Sequence, residues 1–237
     1  MMNSFNATSR FIYEEIRFTL GTMAILYITL PLVLIWCTLG VLFDLDTVST
    51  VIAGPVYGMI IAYGIFGYNN SFAIAVGLGS TRKLYLKLYM LLGTLSIFLL
   101  MFILNLLEYV MYALSKEGIS SVILTDSGSL FFDDYHFFSY MMTDYSFGLL
   151  LFGLTSLFTS IFYRLGFLKT AVITFAVLLV VSLFLQLGAL DGFIEWLSGL
   201  SKSVWLFMLA FAGMAALVST YPIMLHVPLK QPGSGKS

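Results

Sequence analysis

Six long apolar stretches divide this chain, and they constrain its fold more than any other feature. The first, from Phe18 to Phe43, contains no charged side chain. A bilayer core about 30 Å thick needs about 20 such residues for each helical crossing. The remaining stretches cover residues 48–68, 84–114, 145–163, 168–190 and 203–225. We therefore expect a single all-α integral membrane domain over residues 1–237, with six transmembrane helices.

Composition excludes the main soluble classes. Only 10% of the residues are charged and mean hydropathy is +0.99, whereas about 25% of a typical soluble domain is charged. An ordinary water-soluble enzyme is therefore excluded. The net charge of −1 provides no basic excess for nucleic acid. The only cysteine, Cys37, excludes an intrachain disulfide.

The distribution of Lys and Arg predicts the orientation. Assigning alternate ends of the six stretches to opposite sides leaves only Lys116 and Lys202 on one side. The other nine basic residues share the opposite side: Arg10, Arg17, Arg82, Lys83, Lys87, Arg164, Lys169, Lys230 and Lys236. Basic residues accumulate on the cytoplasmic side of membrane proteins. We expect a multi-pass plasma-membrane protein with both termini in the cytoplasm.

Residues 1–17 have the pattern of a cytoplasmic amphipathic helix. At helical spacing Phe5, Ile12 and Ile16 share one face, and Arg10 and Arg17 lie opposite. This predicts a helix lying on the membrane surface, although a partly charged, unstructured tail would have the same composition. At the other end, residues 226–237 are expected to be a flexible tail.

The segment between the second and third spans predicts a helix, a break and another helix. Phe72 to Val76 form a short apolar run, which Gly77 and Gly79 would end. An apolar run on the aqueous side favours a partner protein. A turn buried among lipid headgroups is the alternative. Ser80 or Thr81 would then cap the third span.

Polar residues inside the spans are the candidate pathway residues, because burying charge in a bilayer is costly. Glu108 lies in the third span, with Asn105 on the same face, and Gln186 in the fifth span is a weaker candidate. Glu108 could instead reach the outer headgroups. Pro31 predicts a kink in the first span, and the GxxxG step formed by Gly54 and Gly58 predicts close helix contact in the second.

The two segments expected outside differ in character. Residues 115–143 are rich in aromatic side chains, which favours a small cap at the membrane interface over a functional lid. Residues 191–202 predict a short amphipathic helix before the last span. The outside would also carry most of the acidic residues, Asp144 among them.

Catalysis finds little support in the sequence. His136 and His226 both lie outside the spans, and no HExxH zinc motif occurs. The terminal Gly-Ser-Gly-Lys-Ser is not a phosphate-binding loop, because Lys230 occupies the position where that loop needs glycine. We expect no catalytic residue, metal ligand or cofactor-binding residue in this chain.

The order of elements resembles the permease subunit of a type-two ABC exporter. The likeness covers nearly the whole chain: an N-terminal amphipathic helix, six spans, a cytoplasmic helix after the second span, and an outer helix before the sixth. The most specific part is Phe72-Ala-Ile-Ala-Val-Gly-Leu-Gly-Ser-Thr-Arg82-Lys83. It is similar to the coupling helix with which such permeases bind their ATPase. The outer loop at 115–143 is longer than that family leads us to expect.

The resemblance implies a function and partners. The coupling residues would be Phe72, Ala73, Ile74, Val76, Gly77, Gly79, Arg82 and Lys83. Two six-span subunits, identical or different, would form the pathway in membrane lipid. Separate ATPase subunits would bind ATP and Mg²⁺, since this chain has no nucleotide-binding motif. From the residues alone, a secondary transporter or channel, a membrane enzyme and a non-transporting scaffold remain alternatives.

Overall fold

The computed structural model describes residues 4–43, 48–51, 53–117, 122–125, 127–132, 134–189 and 191–227. The chain is predominantly helical, as expected. Five helical segments are long and apolar enough to cross a membrane: Phe5–Trp36, Arg82–Lys116, Phe137–Leu165, Phe167–Gln186 and Lys202–Leu225. The expected tail falls mostly on residues 228–237, which lie outside the described residues.

The N-terminal helix is continuous with the first span. Helix α1 (Ser4–Ile16) leads into a π-helical segment (Arg17–Thr29) and then into α2 (Leu30–Leu42). No break separates a surface helix from a crossing helix here, in contrast to the expected boundary at residue 17. Pro31 is the second residue of α2 and follows the π-helical segment without a break, so its missing N–H removes one backbone hydrogen bond from a continuous helix. The irregular part of this helix is thus the π-helical segment that precedes the proline.

The second expected span begins later than hydropathy predicts. Val48–Val51 form strand β1, and helix α3 covers Ala53–Phe66. A π-helical turn (Gly67–Ser71) joins α3 directly to α4 (Phe72–Gly77). The chain therefore breaks after α4, at Leu78–Thr81, and not before it. Helix α3 alone is apolar but has 14 residues, which is about 21 Å at 1.5 Å per residue.

The other spans are close to their expected bounds, with one exception. Helix α5 covers Arg82–Lys116, α7 covers Phe167–Gln186 and α9 covers Lys202–Leu225. Helix α6, Phe137–Leu165, starts eight residues before the expected residue 145 and so includes Asp144. A short helix, α8 (Asp191–Ser198), precedes α9 as expected. Strand β2 (Val122–Thr125) and a 3₁₀ turn (Ser127–Leu130) occupy the long loop.

Close helix packing uses other glycines than the GxxxG step. A Cβ atom at Gly58 would meet nothing within 4 Å, so the close contact expected at that position is not found. Helices α6 and α9 instead cross at Gly153 and Gly213. A Cβ at Gly213 would lie 2.6 Å from the backbone of Leu149. Small residues permit such backbone contact between membrane helices.

Two sets of contacts define opposite ends of the bundle. At the strand end, β1 pairs in parallel with β2, with Val48 opposite Val122. At the other end, the Arg82 guanidinium donates to the carbonyls of Leu225 at 3.2 Å and Val227 at 2.6 Å. We call this the Arg82 end. Helices α3, α5, α6 and α9 form the core between the two ends.

Candidate functional site

Glu108 and Asn105 are buried polar residues on one face of α5. Asn105 is fully buried and Glu108 is 3% exposed. Both carboxyl oxygens of Glu108 and the Oδ1 atom of Asn105 lack a hydrogen-bond partner. A buried polar atom without a partner carries a free-energy penalty of about 1–3 kcal/mol. These two residues therefore do not stabilise the fold through hydrogen bonds at those atoms.

Asp144 of α6 joins them to form what we call the carboxyl cluster: Tyr57, Asn105, Glu108, Ser127 and Asp144. The Asp144 carboxylate accepts hydrogen bonds from Asn105 Nδ2 at 2.7 Å and from Tyr57 hydroxyl at 2.9 Å. It also accepts one from the Ser127 hydroxyl. Glu108 lies one turn from Asn105 on the same buried face of α5. Helices α3, α5 and α6 and the 3₁₀ turn thus converge on one carboxylate.

Neither Glu108 nor Asp144 forms an ion pair with a basic residue among the residues that the structure describes. Glu14 and Arg17 form an exposed ion pair, at 2.7 Å, where α1 joins the π-helical segment. Burying a carboxylate without an opposite charge is costly. The cluster therefore has the chemistry of a site for a positive charge or a hydrogen-bond donor. No group of three His, Cys, Asp or Glu side chains suited to a metal ion occurs in the described residues.

An apolar layer lies beside the carboxyl cluster. Ile60 of α3 and both Ile97 and Met101 of α5 are fully buried. They meet α6 at Gly148, where a Cβ atom would lie 2.9 Å from Ile97 Cγ2. On α3 this layer lies one turn from the residue of the carboxyl cluster, and on α5 it lies one and two turns from Asn105. This layer closes the carboxyl cluster on the side that faces the Arg82 end.

Beyond the apolar layer is a tyrosine cluster, comprising Tyr63, Tyr68, Tyr85 and Tyr89. All four are fully buried, and the Tyr63 and Tyr89 ring centroids are 5.1 Å apart. The Tyr89 hydroxyl donates to the Tyr63 carbonyl at 2.9 Å, and the Tyr85 hydroxyl donates to the Gly67 carbonyl at 2.7 Å. These bonds fix α5 against the end of α3 and its π-helical turn.

Glu15 of α1 lies beside the tyrosine cluster. Its carboxylate accepts a hydrogen bond from Ser71, and its second oxygen has no partner. The N-terminal helix thus packs against the same corner of the molecule as α4. The buried face of α1 is Thr8, Ile12 and Ile16, whereas Phe5 is exposed. Phe5 lies on the helix face of the two isoleucines, as expected, but the part of that face that packs on the chain begins at Thr8.

The segment expected to couple to an ATPase has a mixed exposure. Phe72 is fully buried against the tyrosine cluster, and its ring lies 5.5 Å from that of Tyr85. Ile74 is 52% exposed and Leu78 is 76% exposed, whereas Ala73 and Val76 are partly buried. The expected exposed cluster of Phe72, Ile74 and Val76 is therefore not found.

The break after α4 is built by backbone and capping groups. Gly79 has a φ of +93°, a left-handed conformation that disfavours other residues. Thr81 caps α5, since its side chain accepts from the Leu84 amide at 3.3 Å. Gly77 and Gly79 face open space, and Lys83 is exposed. Arg82, in contrast, is bonded to the end of α9 within the chain.

Helix α1 completes the surface around the break. The Thr8 hydroxyl donates to the Ser80 hydroxyl at 2.9 Å. A small cavity of about 80 Å³ lies between the two segments, lined in part by Phe11, Ala75 and Leu78. Any partner that contacts Leu78 and Gly79 would also meet α1. Sequence reasoning assigned no such role to α1.

Two residues show where sequence reasoning failed at this site. Gln186 is exposed at the last position of α7, so it does not join Asn105 and Glu108 in one site. The sequence predicts that Asp144 lies outside, just before a span that starts at residue 145, whereas Asp144 is buried within α6. The i+4 spacing of Tyr140, Asp144 and Gly148 is the signal that places Asp144 on a buried helix face.

Comparisons with protein-family models, with curated proteins and with solved structures found no match to this chain.

Proposed function

We propose that this chain is the membrane-spanning permease subunit of an ATP-driven exporter of the type-two ABC class. The observation that carries the proposal is the helical break at Leu78–Thr81. It joins α4 to α5 and exposes Ile74, Leu78 and Lys83 at the Arg82 end. When two helices meet at a short turn, a partner that binds the turn and moves can displace both helices relative to the core. The tyrosine cluster supplies the contact, since it packs on both helices.

The proposal includes six crossings with both termini in the cytoplasm of a plasma-membrane protein. Helix α3 is short alone, but the continuous helical run from Ala53 to Gly77 has 25 residues, counting both end positions. That length is sufficient for a crossing. The Arg82 end also collects the termini of α6 and α9, and Arg164 lies in the last turn of α6. The basic residues thus favour the cytoplasm for this end.

Partners follow from the same proposal. ATP and Mg²⁺ would bind a separate ATPase subunit, and a second permease subunit would complete the pathway. Helix α7 supports a further contact in the membrane, because its side chains are exposed along almost its entire length and Thr170 alone is buried. Lipid or the second subunit would cover this helix.

Co-purification with an ATPase tests the coupling role. Leu78→Asp and Ile74→Asp change exposed side chains, so they should leave the fold intact. We expect both to abolish co-purification of a chain that hydrolyses ATP and is labelled by 8-azido-ATP. Leu130→Asp is the matched control, since Leu130 is 79% exposed at the opposite end. Wild-type levels of the labelled ATPase with both variants would refute the proposal.

The carboxyl cluster favours a second candidate, a secondary transporter driven by a cation gradient. Two buried carboxyl groups without a basic partner are typical of proton and cation sites in transporters. Proteoliposomes that contain only this chain distinguish the two candidates. Dissipation of an imposed proton or Na⁺ gradient without ATP, lost in Glu108→Gln, would favour the secondary transporter. An inert isolated chain would favour the exporter.

A further inference from the structure

Two apolar cavities follow one face of α9. The first has a volume of about 380 Å³ and lies between α6 and α9, where Phe138, Met142 and Phe207 contribute to its wall. The second, of about 480 Å³, lies between α5 and α9 and includes Met90 and Met214. Tyr145 lines both, so the cavities adjoin at its ring. We call the pair the α9 groove.

A lysine stands at each end of the α9 groove. Lys202, the first residue of α9, has its Nζ atom 5.9 Å from the centroid of the Phe132 ring, which lines the first cavity. Lys87 lines the second cavity beside Met214 and Val218. Both lysines are exposed. At 1.5 Å per residue, the α9 positions beside the two lysines are roughly 20 Å apart.

The lining of the groove favours an amphiphile over a packed helix. Helices that associate in membranes do so at small residues that let the backbones approach. In the first cavity the large rings of Phe132, Phe138 and Phe207 stand among the smaller lining residues, and a volume of about 380 Å³ remains open between them. An acyl chain is narrow enough to lie between such side chains. The lysines at the two ends complement an anionic headgroup, and Ser139, Ser146 and Ser203 add hydroxyl groups to the first cavity.

We propose that the α9 groove binds an anionic amphiphile, with its hydrocarbon chain along α9 and its acidic headgroup at Lys202 or Lys87. Binding follows from the groove itself. That the amphiphile is the exported substrate rests on the proposed function. A membrane lipid and an exported molecule share this chemistry, and the experiment separates these two sources.

Photolabelling of the full chain in nanodiscs tests the binding. The probe is palmitate with a diazirine in its chain, and labelled residues are mapped by mass spectrometry. We expect labels on Met142, Leu206 or Met214, displaced by palmitate but not by uncharged hexadecanol. Removing both charges, in Lys87→Gln with Lys202→Gln, should weaken labelling roughly tenfold, as expected when a charged hydrogen-bonding partner is lost.

A second variant tests the apolar part of the groove. Ala210 lines the first cavity, so Ala210→Trp should fill it and abolish labelling there. Lys169→Gln and Ala171→Trp are the matched controls, because both residues are exposed on α7. Equal displacement by hexadecanol, or unchanged labelling in both groove variants, would overturn the proposal. Each variant must elute from a size-exclusion column at the same volume as the wild type. Ala210→Ser is a milder change at the same position and should retain labelling.

Two further measurements separate the alternatives. Phe207→Cys in a Cys37→Ser background reports on a second copy, because Phe207 belongs to the wall of the groove and is nevertheless exposed. A disulfide-linked dimer with palmitate labelling lost would overturn the proposal in favour of a protein contact. Labelling by palmitate, combined with a failure of any ATPase to co-purify with the chain, would support the groove and refute the proposed exporter. In the complex of this chain with its ATPase, labelling that decreases when ATP is added identifies an exported molecule. Labelling that ATP does not change identifies a membrane lipid. Both results support binding in the groove.

Discussion

Two glycine substitutions should have opposite effects on stability: one at the crossing of α6 and α9, and one at an open position on α3. In Gly213→Ala the new Cβ would lie 2.6 Å from the carbonyl carbon and oxygen of Leu149, whereas ordinary contact begins at 3.4 Å. These are backbone atoms, so no side-chain rotation relieves the overlap. The helices must separate locally by about 0.8 Å (3.4 minus 2.6). A gap of that size forfeits about a quarter to a half of each dispersion contact across the crossing.

The magnitude follows from two opposing terms. Overpacking of a core costs about 1–3 kcal/mol, and a backbone overlap belongs at the upper end. Replacing glycine by alanine inside a helix returns about 1 kcal/mol. The net loss is about 1–2 kcal/mol, which lowers the Tm by about 2–4 °C per kcal/mol for a chain of this size. For Gly58→Ala only the gain in helix propensity applies, since nothing lies within 4 Å of its Cβ position.

Thermal unfolding of the purified chain in detergent, followed by circular dichroism, measures both effects. We expect Gly213→Ala to lower the Tm and Gly58→Ala to leave it unchanged or raise it. Gly153→Ala should act as Gly213→Ala does, because its Cβ would meet the Gly213 carbonyl. An equal or raised Tm for Gly213→Ala would refute the close crossing of the two backbones.

Three other predictions follow from the contacts described above. Asp144→Asn should lower stability more than Glu108→Gln in the same unfolding assay, because Asp144 accepts three hydrogen bonds and Glu108 accepts none; equal losses would contradict the geometry of the carboxyl cluster. Glu108→Gln should therefore alter transport in vesicles while its expression stays normal, and normal transport would show that Glu108 has no role in the pathway. Asp134→Cys in a Cys37→Ser background should react with an impermeant maleimide from outside intact cells, and Arg164→Cys only after the membrane is breached; the reverse pattern would contradict the proposed topology.

Hydropathy predicted the long helices well but failed where contacts between helices decide the structure. The bounds of α5, α7 and α9 differ by only a few residues from the apolar stretches, because a helix in lipid must be apolar wherever it is exposed. Asp144 is the exception, because a charged residue here lies inside a long helix and not at its end. The residue is buried by α3 and α5, and its hydrogen bonds come from Tyr57 and Asn105, which are remote in sequence.

The same limit applies at Phe72 and at Val48. A local pattern identifies Phe72 as apolar, but only the fold of α5 against α4 shows that Tyr85 covers it. Val48–Val51 were counted as the start of a span because they are uncharged. Their pairing with Val122–Thr125 depends on a partner in another loop, and hydropathy contains no information about such pairs.

The parallel pairing of β1 with β2 has a consequence for biosynthesis. Val48 pairs with Val122, which is made 74 residues later (122 minus 48). At about 5–20 residues per second, a ribosome needs roughly 4–15 s to reach it. Helices α3 and α5 are made during that interval, while β1 has no strand to bond. The two strands can meet only after α5 has been made, so the segment that follows α2 acquires its final position late in synthesis.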